Sequence, residues 1–580
     1  MSAAASSSAA PAPLPHRPTK TVLVLGASYA GHRAIQMLLA QLPADWRVVV
    51  LERNTHANHL YAFPRVAVVK GHEEKVFIPY SKMFSPGGVD SPGSHALLHG
   101  CLISLAPTTP PPNSTRPRYG RGIARYLPLT GGSTCCRSPT AAAEMMEVRF
   151  DYLVYALGSH LPPCINVWSG PGPMPAQQGS ELMRPGRCCR EQPPADSRES
   201  AESRALPLRR GRASACQALP TPPEAADATE TTAQGNASVA DIATQLQESL
   251  VLDPHLPYDE RPPSPPDSRS TSPRQKEASG TPTANLPPCR GSKTEGVAWL
   301  RDAQERICKA ASVLVIGGGA LGVQFAADIA ALYGTPSAPK SDTPKQVTLV
   351  SSSKKLLPRF DDYLHEETMR RFEALGVDVL LGARADLESM KITSDERRVV
   401  RTLDGREAAA DLVLFCTGQR PNTSFLSTFA SSHGLDSVLC DRSHMARVNR
   451  HLQLGVHTPG SDEEPQVAPG MEHVFVIGDA ADAFGALNAG HTAWTQAEVA
   501  VRNICALVER ERADDAEAAA KELARYTAPE PNIKVTVGLD CAVFQSSGKV
   551  GVKGPEECPL DLNAPSMWTR RGLSQDDMSV

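Results

Sequence analysis

Residues 312–322 read SVLVIGGGALG, and residues 21–31 read TVLVLGASYAG. Each begins with a short apolar run that suits a buried strand, passes through a small-residue turn, and runs on into a helical pattern. Gly317, Gly319 and Gly322 fill the three positions of a G-x-G-x-x-G fingerprint, and Gly26, Ser28 and Gly31 occupy the same places in the earlier stretch, interleaved with Ala27, Tyr29 and Ala30. The spacing has a physical purpose. The first residue makes a tight turn, the second lets backbone N–H groups approach a pyrophosphate, and the third lets helix and strand pack closely, while the helix N-terminus favours the anion. Further out, RVVVL (Arg47–Leu51) and QVTLV (Gln346–Val350) supply the second strand of a strand–helix–strand unit in each case. The chain therefore carries the same plan twice.

The strand ends say what each unit holds. Glu52, 21 residues beyond Gly31 with Arg53 beside it, is placed to bind a ribose hydroxyl of a dinucleotide. Ser351 stands at the matching position of the second unit, with Lys354 and Lys355 close by. Without a carboxylate there to repel a 2′-phosphate, NADPH is admitted as well as NADH. Near the C-terminus, HVFVIGDAAD runs a buried strand into Gly478 and Asp479, an acid positioned for a ribitol hydroxyl of FAD. A helical stretch from about Ala489 follows, whose N-terminus would stabilise negative charge on a reduced flavin. DYLVYALGS (Asp151–Ser159) and ADLVLFCTGQRPN (Ala410–Asn422) end in turns at Gly158 and Gly418, and read as crossings between the two units.

Composition narrows the rest. Lys and Arg total 59 against 63 Asp and Glu, a net charge of -4, which argues against a nucleic-acid partner. The 14 cysteines show neither a disulfide framework nor a paired C-x-x-C metal site, so no metal is expected and the compartment reads as reducing. No apolar run approaches the roughly 20 residues a bilayer span needs. Residues 169–292 hold 20 of the 51 prolines and one aromatic, Tyr258, and are expected to be a disordered insertion with one weak helix at Val239–Leu252. The Ala/Ser/Pro-rich start, 1–19, reads as a disordered tail, and Ser2 excludes N-myristoylation, which needs glycine there. The expected organisation is α/β: a FAD-binding domain from 20–168 and 421–505, an NAD(P)-binding domain at 293–420, both Rossmann-like, and a small C-terminal α+β domain at 506–580.

Taken in order, these motifs resemble the pyridine-nucleotide-dependent FAD oxidoreductases. Within them NHLYAFPRVAV (Asn58–Val68), IPYSKMF (Ile78–Phe84) and the ending with DLNAPSMWTRRG and DDMSV resemble the apoptosis-inducing-factor-like, mitochondrion-associated group, which includes the ferroptosis suppressor quinone reductase. The resemblance implies that Arg65 contacts FAD, that the Leu102 backbone meets its adenine, and that Gln324 stands near the nicotinamide in place of a common Glu. Asn488 replaces a Lys frequent beside the flavin. It further implies hydride transfer from NADH or NADPH to FAD, and then electron transfer to a quinone or other small acceptor. It places the chain in the cytoplasm, at the mitochondrial outer surface, with peripheral association with a membrane or lipid droplet. No side chain is expected to act as a nucleophile, because the flavin carries the chemistry. The chain has neither the C-x4-C pair nor the C-x-x-C of disulfide reductases, so the acceptor is expected to meet the flavin directly. The rival reading is a cofactor-binding cell-death signalling protein with little turnover. The electron acceptor, the oligomeric state and the role of the insertion stay open at this level.

Overall fold

A computed structural model describes residues 20–84, 95–108, 121–129, 145–167, 291–334, 344–457, 464–513 and 521–579. The expected tail and nearly all of the expected insertion, with its helix at Val239–Leu252, lie outside the described residues.

The first fingerprint unit folds as read. Strand β1 (Lys20–Leu25), helix α1 (Tyr29–Gln41) and strand β2 (Trp46–Glu52) form a parallel βαβ unit, with Val24 opposite Val50. Four consecutive β1 residues, Val22–Leu25, are completely buried, as expected of a strand covered on both faces. The sheet continues with β3 (Ala96–Pro107), β4 (Gly122–Pro128), β5 (Met146–Phe150) and β6 (Tyr152–Tyr155). Its seventh strand comes from far along the chain: Val474–Val476 pairs in parallel with β6, giving the order 474–476, β6, β1, β2, β3, β4, β5. The C-terminal ends of β1, β2, β6 and 474–476 thus share one edge, where a parallel sheet binds its ligands.

Helix α2 (Lys293–Lys309) precedes the second unit and begins in a capping box, Ser292 accepting from the Glu295 amide while Glu295 reaches back. Strand β7 (Ser312–Ile316), helix α3 (Ala320–Tyr333) and strand β8 (Gln346–Val350) repeat the first unit. Strands β9 (Val377–Leu380) and β10 (Leu412–Phe415) complete a four-stranded parallel sheet in the order β9, β8, β7, β10. An antiparallel three-stranded sheet at 385–410 lies between β9 and β10 in the chain.

The two crossings read from the sequence meet each other. Arg420–Pro421 pairs antiparallel with Ser159–His160, and the Asn422 amide N–H donates to the Gly158 carbonyl at 2.9 Å. Helix α4 (Gly490–Arg512) follows the last strand of the first sheet and lies against α1, with Arg33 and Glu498 forming an ion pair between them. The chain ends in an antiparallel sheet of β11 (Ile533–Thr536), β12 (Ala542–Ser546) and β13 (Lys549–Lys553), then a short helix, Pro565–Arg570. Ile533 and Val535 share a core with Phe325 and Ala326 of α3, so this terminal sheet is packed on the second unit.

Candidate functional site

At the shared strand edge of the first sheet lies a cavity of about 420 Å³. Gly26, Ser28, Tyr29 and Ala30 of the first fingerprint line it, as do Glu52 and Arg53 at the end of β2. Leu102 on β3, Gly158 at the crossing, and the Gly478–Asp479 turn close it from other elements. Asn488, Ala489 and Gly490 present the start of α4 to the same space, so the N-terminal end of a 23-residue helix, with its positive dipole, faces it.

The fingerprint geometry suits a dinucleotide. Gly26 has φ +89°, and a β-carbon on it would stand 2.5 Å from the Ala156 carbonyl oxygen. A β-carbon on Gly31 would stand 1.9 Å from the Gly26 carbonyl oxygen, so α1 rests on the turn with no room for a side chain. Ala27 and Gly31 do not line the cavity; they hold its wall. The Ala27 N–H donates to Glu52 Oε2 at 2.7 Å, and the Asn54 N–H to Oε1 at 2.9 Å, which fixes the carboxylate at the cavity edge. Each oxygen keeps acceptor capacity for a ribose hydroxyl.

Asp479 Oδ2 accepts from Ser159 Oγ at 3.2 Å and from Gln419 Nε2 at 3.0 Å. Burial pushes its carboxyl above the usual range, and these two donors pull it back only in part. Both donors come from the crossings: Ser159 lies on one paired strand and Gln419 immediately precedes the other.

The second fingerprint is built to the same dimensions. Gly317 has φ +130°, with the Cys416 carbonyl oxygen 2.2 Å from where a β-carbon would be, and a Gly322 β-carbon would meet the Gly317 oxygen at 1.9 Å. Gly319 caps α3, so its helix N-terminus opens at the end of β7. Ser351 is buried beneath this turn, its Oγ 2.4 Å from the space a Gly318 β-carbon would take. Lys355 is engaged in an ion pair with Asp362, whereas Lys354 is exposed. Gly418, with φ +97°, sets the turn that brings Gln419 into the cavity.

Two expectations are corrected. Arg65 does not line this cavity. It is wholly buried, donating through Nε and Nη2 to Asp328 of α3 at 2.8 and 3.1 Å and to the Gly538 carbonyl at 2.9 Å. A guanidinium removed from water needs a carboxylate, and α3 supplies one. Gln324 is likewise turned inward: it is 1% exposed and its amide donates to Thr536 of β11 at 3.2 Å, on the side of α3 that faces the terminal sheet. The sequence reading also missed a thiol pair. Cys164 and Cys416, 252 residues apart, bring their sulfurs to 3.6 Å beside the crossing; no C-x-x-C spacing could have shown it. Among the described residues no group of three metal-ligating side chains occurs, and no helix is long and apolar enough to cross a membrane.

The sequence model of the pyridine nucleotide-disulphide oxidoreductases matches residues 278–503. Fe-regulated protein 8 of Mycosarcoma maydis is 38% identical over 559 residues, 96% of either chain. The chain belongs to the pyridine nucleotide-disulphide oxidoreductase family. Ferroptosis suppressor protein 1 of Homo sapiens is 30% identical over 225 residues, covering 37% of this chain and 50% of that protein. Among solved structures, the water-forming NADH oxidase from Lactobacillus brevis aligns over 91% of this chain and 75% of its own, with a TM-score of 0.44 and 13% identity. As a pyridine nucleotide-disulphide oxidoreductase, the chain is an NAD(P)H-dependent flavoprotein whose cofactors are FAD and NADH or NADPH.

Proposed function

We propose that this oxidoreductase passes electrons from FAD directly to a quinone-like acceptor. The observation that carries the reading is the make-up of the cavity. The first helix, YAGHRAIQMLLAQ, contains no cysteine, and among the described residues Cys101 is the one cysteine on the cavity wall. A single thiol cannot store an electron pair as a disulfide, so the device used by disulfide reductases is missing where the flavin would need it. Leu60, Tyr61, Leu161 and Val167 contribute apolar surface to the same wall, which suits a flat, poorly charged acceptor. In this reading Gly26–Gly31 and Asp479 hold FAD, Glu52 and Arg53 hold its ribose end, and Leu102 lies along its adenine.

A bound flavin would supply the two-electron chemistry that links the nicotinamide to the acceptor. The protein's part is positional and electrostatic. The start of α4 offers N–H groups to negative charge at the cavity, Asp479 orients the polyol through the crossing strands, and Ser351 leaves the second nucleotide's 2′ position unopposed. The domains follow: FAD on 20–168 and 421–505, NAD(P)H on 293–420, and 506–580 as support.

The test is anaerobic. Purified protein should show a flavin spectrum that NADH or NADPH bleaches and a water-soluble ubiquinone analogue restores. Bleaching by the nucleotide with no reoxidation by any quinone would remove the acceptor from the proposal while leaving the reductase half in place.

A further inference from the structure

The last helix delivers an arginine to the flank of the FAD cavity. Pro565–Arg570 is pinned by Trp568, 1% exposed, whose indole N–H donates to the Lys75 carbonyl at 2.9 Å. Arg571 follows at once and is only 9% exposed. Its Nε and Nη1 are enclosed without a hydrogen-bond partner, and it forms no ion pair among the described residues. Its guanidinium lies 5.8 Å from the centre of the Tyr80 ring. Tyr80, Tyr29 and Glu52 are its titratable neighbours, and all three line the cavity. No ion pair joins Arg571 to Glu52, whose carboxylate is held by the Ala27 and Asn54 N–H groups.

Apart from Glu52, the neighbouring titratable groups bring no negative charge. His32, in the first turns of α1, and His59, hydrogen-bonded to Tyr29, are both kept neutral by burial and by the nearby arginine charge. Elsewhere the same molecule pairs a buried arginine fully: Arg65 has Asp328. A guanidinium cannot shed its proton, so one enclosed without a counter-ion costs stability until an anion arrives. The first fingerprint brings such an anion, a diphosphate, to the N-terminus of α1, which carries Tyr29 and His32.

We propose that Arg571 is the counter-charge for the diphosphate of FAD, so that the extreme C-terminal segment completes the cofactor site. The inference rests on FAD occupying the first fingerprint and is independent of the electron acceptor. It makes two demands of opposite sign. Removing the charge weakens cofactor binding and relieves the empty protein.

The test uses full-length Arg571→Met and Arg571→Lys, each stripped of flavin and titrated with FAD, ADP and adenosine. Arg571→Met should raise the Kd for FAD and ADP by roughly ten- to a hundredfold, the weight of a charged hydrogen bond, and leave adenosine unchanged. The apoprotein Tm should stay level or rise, and Arg571→Lys should recover part of the affinity. Wild-type affinity for FAD in Arg571→Met overturns the inference alone. So does a loss of affinity that comes with a lower apoprotein Tm, which is the signature of a purely structural residue. A wild-type protein that binds no FAD would overturn the cofactor assignment itself.

Discussion

Asp479 sits where a strand, a turn and two crossing segments converge, and its Oδ2 already has two donors, Ser159 and Gln419. The other oxygen is the one available to the ribitol. Asp479→Ala should therefore weaken FAD binding by about 1.5–3 kcal/mol, the value of a hydrogen bond to a charged group, read as the Kd from flavin fluorescence. Unaltered affinity would assign the acid to the crossing alone. Ser351 tests the second nucleotide. Its hydroxyl accepts from the Ser353 N–H at 3.2 Å inside a notch too small for a longer side chain, so a glutamate there must extend toward the ribose. Ser351→Glu should cut kcat/KM for NADPH at least about tenfold relative to NADH, by repulsion of the 2′-phosphate. An unchanged ratio of the two donors sinks the assignment. The strand-end places of Glu52, Ser351 and Asp479 were legible because a motif tied each to its strand. Arg65 and Arg571 were not, because their surroundings are assembled from segments hundreds of positions away.

The two βαβ units make their elements comparable. In each, the third glycine of the fingerprint lies under a carbonyl oxygen at the same 1.9 Å from a β-carbon's place. Backbone cannot step aside as a side chain can, so Gly31→Ala and Gly322→Ala should each cost about 1–3 kcal/mol by overpacking. Their phenotypes should separate. Gly31→Ala should purify with little flavin, whereas Gly322→Ala should retain flavin and lose its bleaching by NAD(P)H. Equal flavin loss in both would mean that the two units do not divide the cofactors as proposed. Element boundaries came out within a residue or two of the sequence reading here, because three to five buried β-branched and leucine positions leave little choice. Strand β3 was missed for the opposite reason. Only two of its 12 residues are buried, so it shows neither an apolar run nor strict alternation. Helix α2 had a visible signal, the S-x-x-E of Ser292–Glu295, hidden only by the Pro-rich sequence that precedes it.

At the scale of the whole molecule, acid should act through histidines. His59 and His473 are pushed down to about 3 and His491 to about 4, chiefly by burial. All three are neutral in the fold and take up protons once unfolded, from pH 6.5 downward, so stability is greatest above 6.5 and is lost as pH falls toward 3. The Tm should decline across that window, and His473→Phe, in a site beside Phe150, should flatten the decline. A parallel curve would exclude His473 as a cause. The Arg65–Asp328 pair couples the first unit to the second. Asp328→Asn alone should cost about 3–5 kcal/mol in denaturant unfolding, since it strands a buried charge, and Arg65→Met with Asp328→Leu should recover much of it. A double variant as unstable as the single one would contradict the pairing. The same ion pair also sets a timetable. Arg65 leaves the ribosome 263 residues before Asp328 and 473 before Gly538. At the usual pace of synthesis that is on the order of half a minute before its carboxylate exists, and longer before the carbonyl does. Until then the segment after β2 keeps this cation in water, without the carboxylate that lets it be buried. A nascent chain halted anywhere between those positions is left with an unfinished corner for a chaperone to cover or a protease to find.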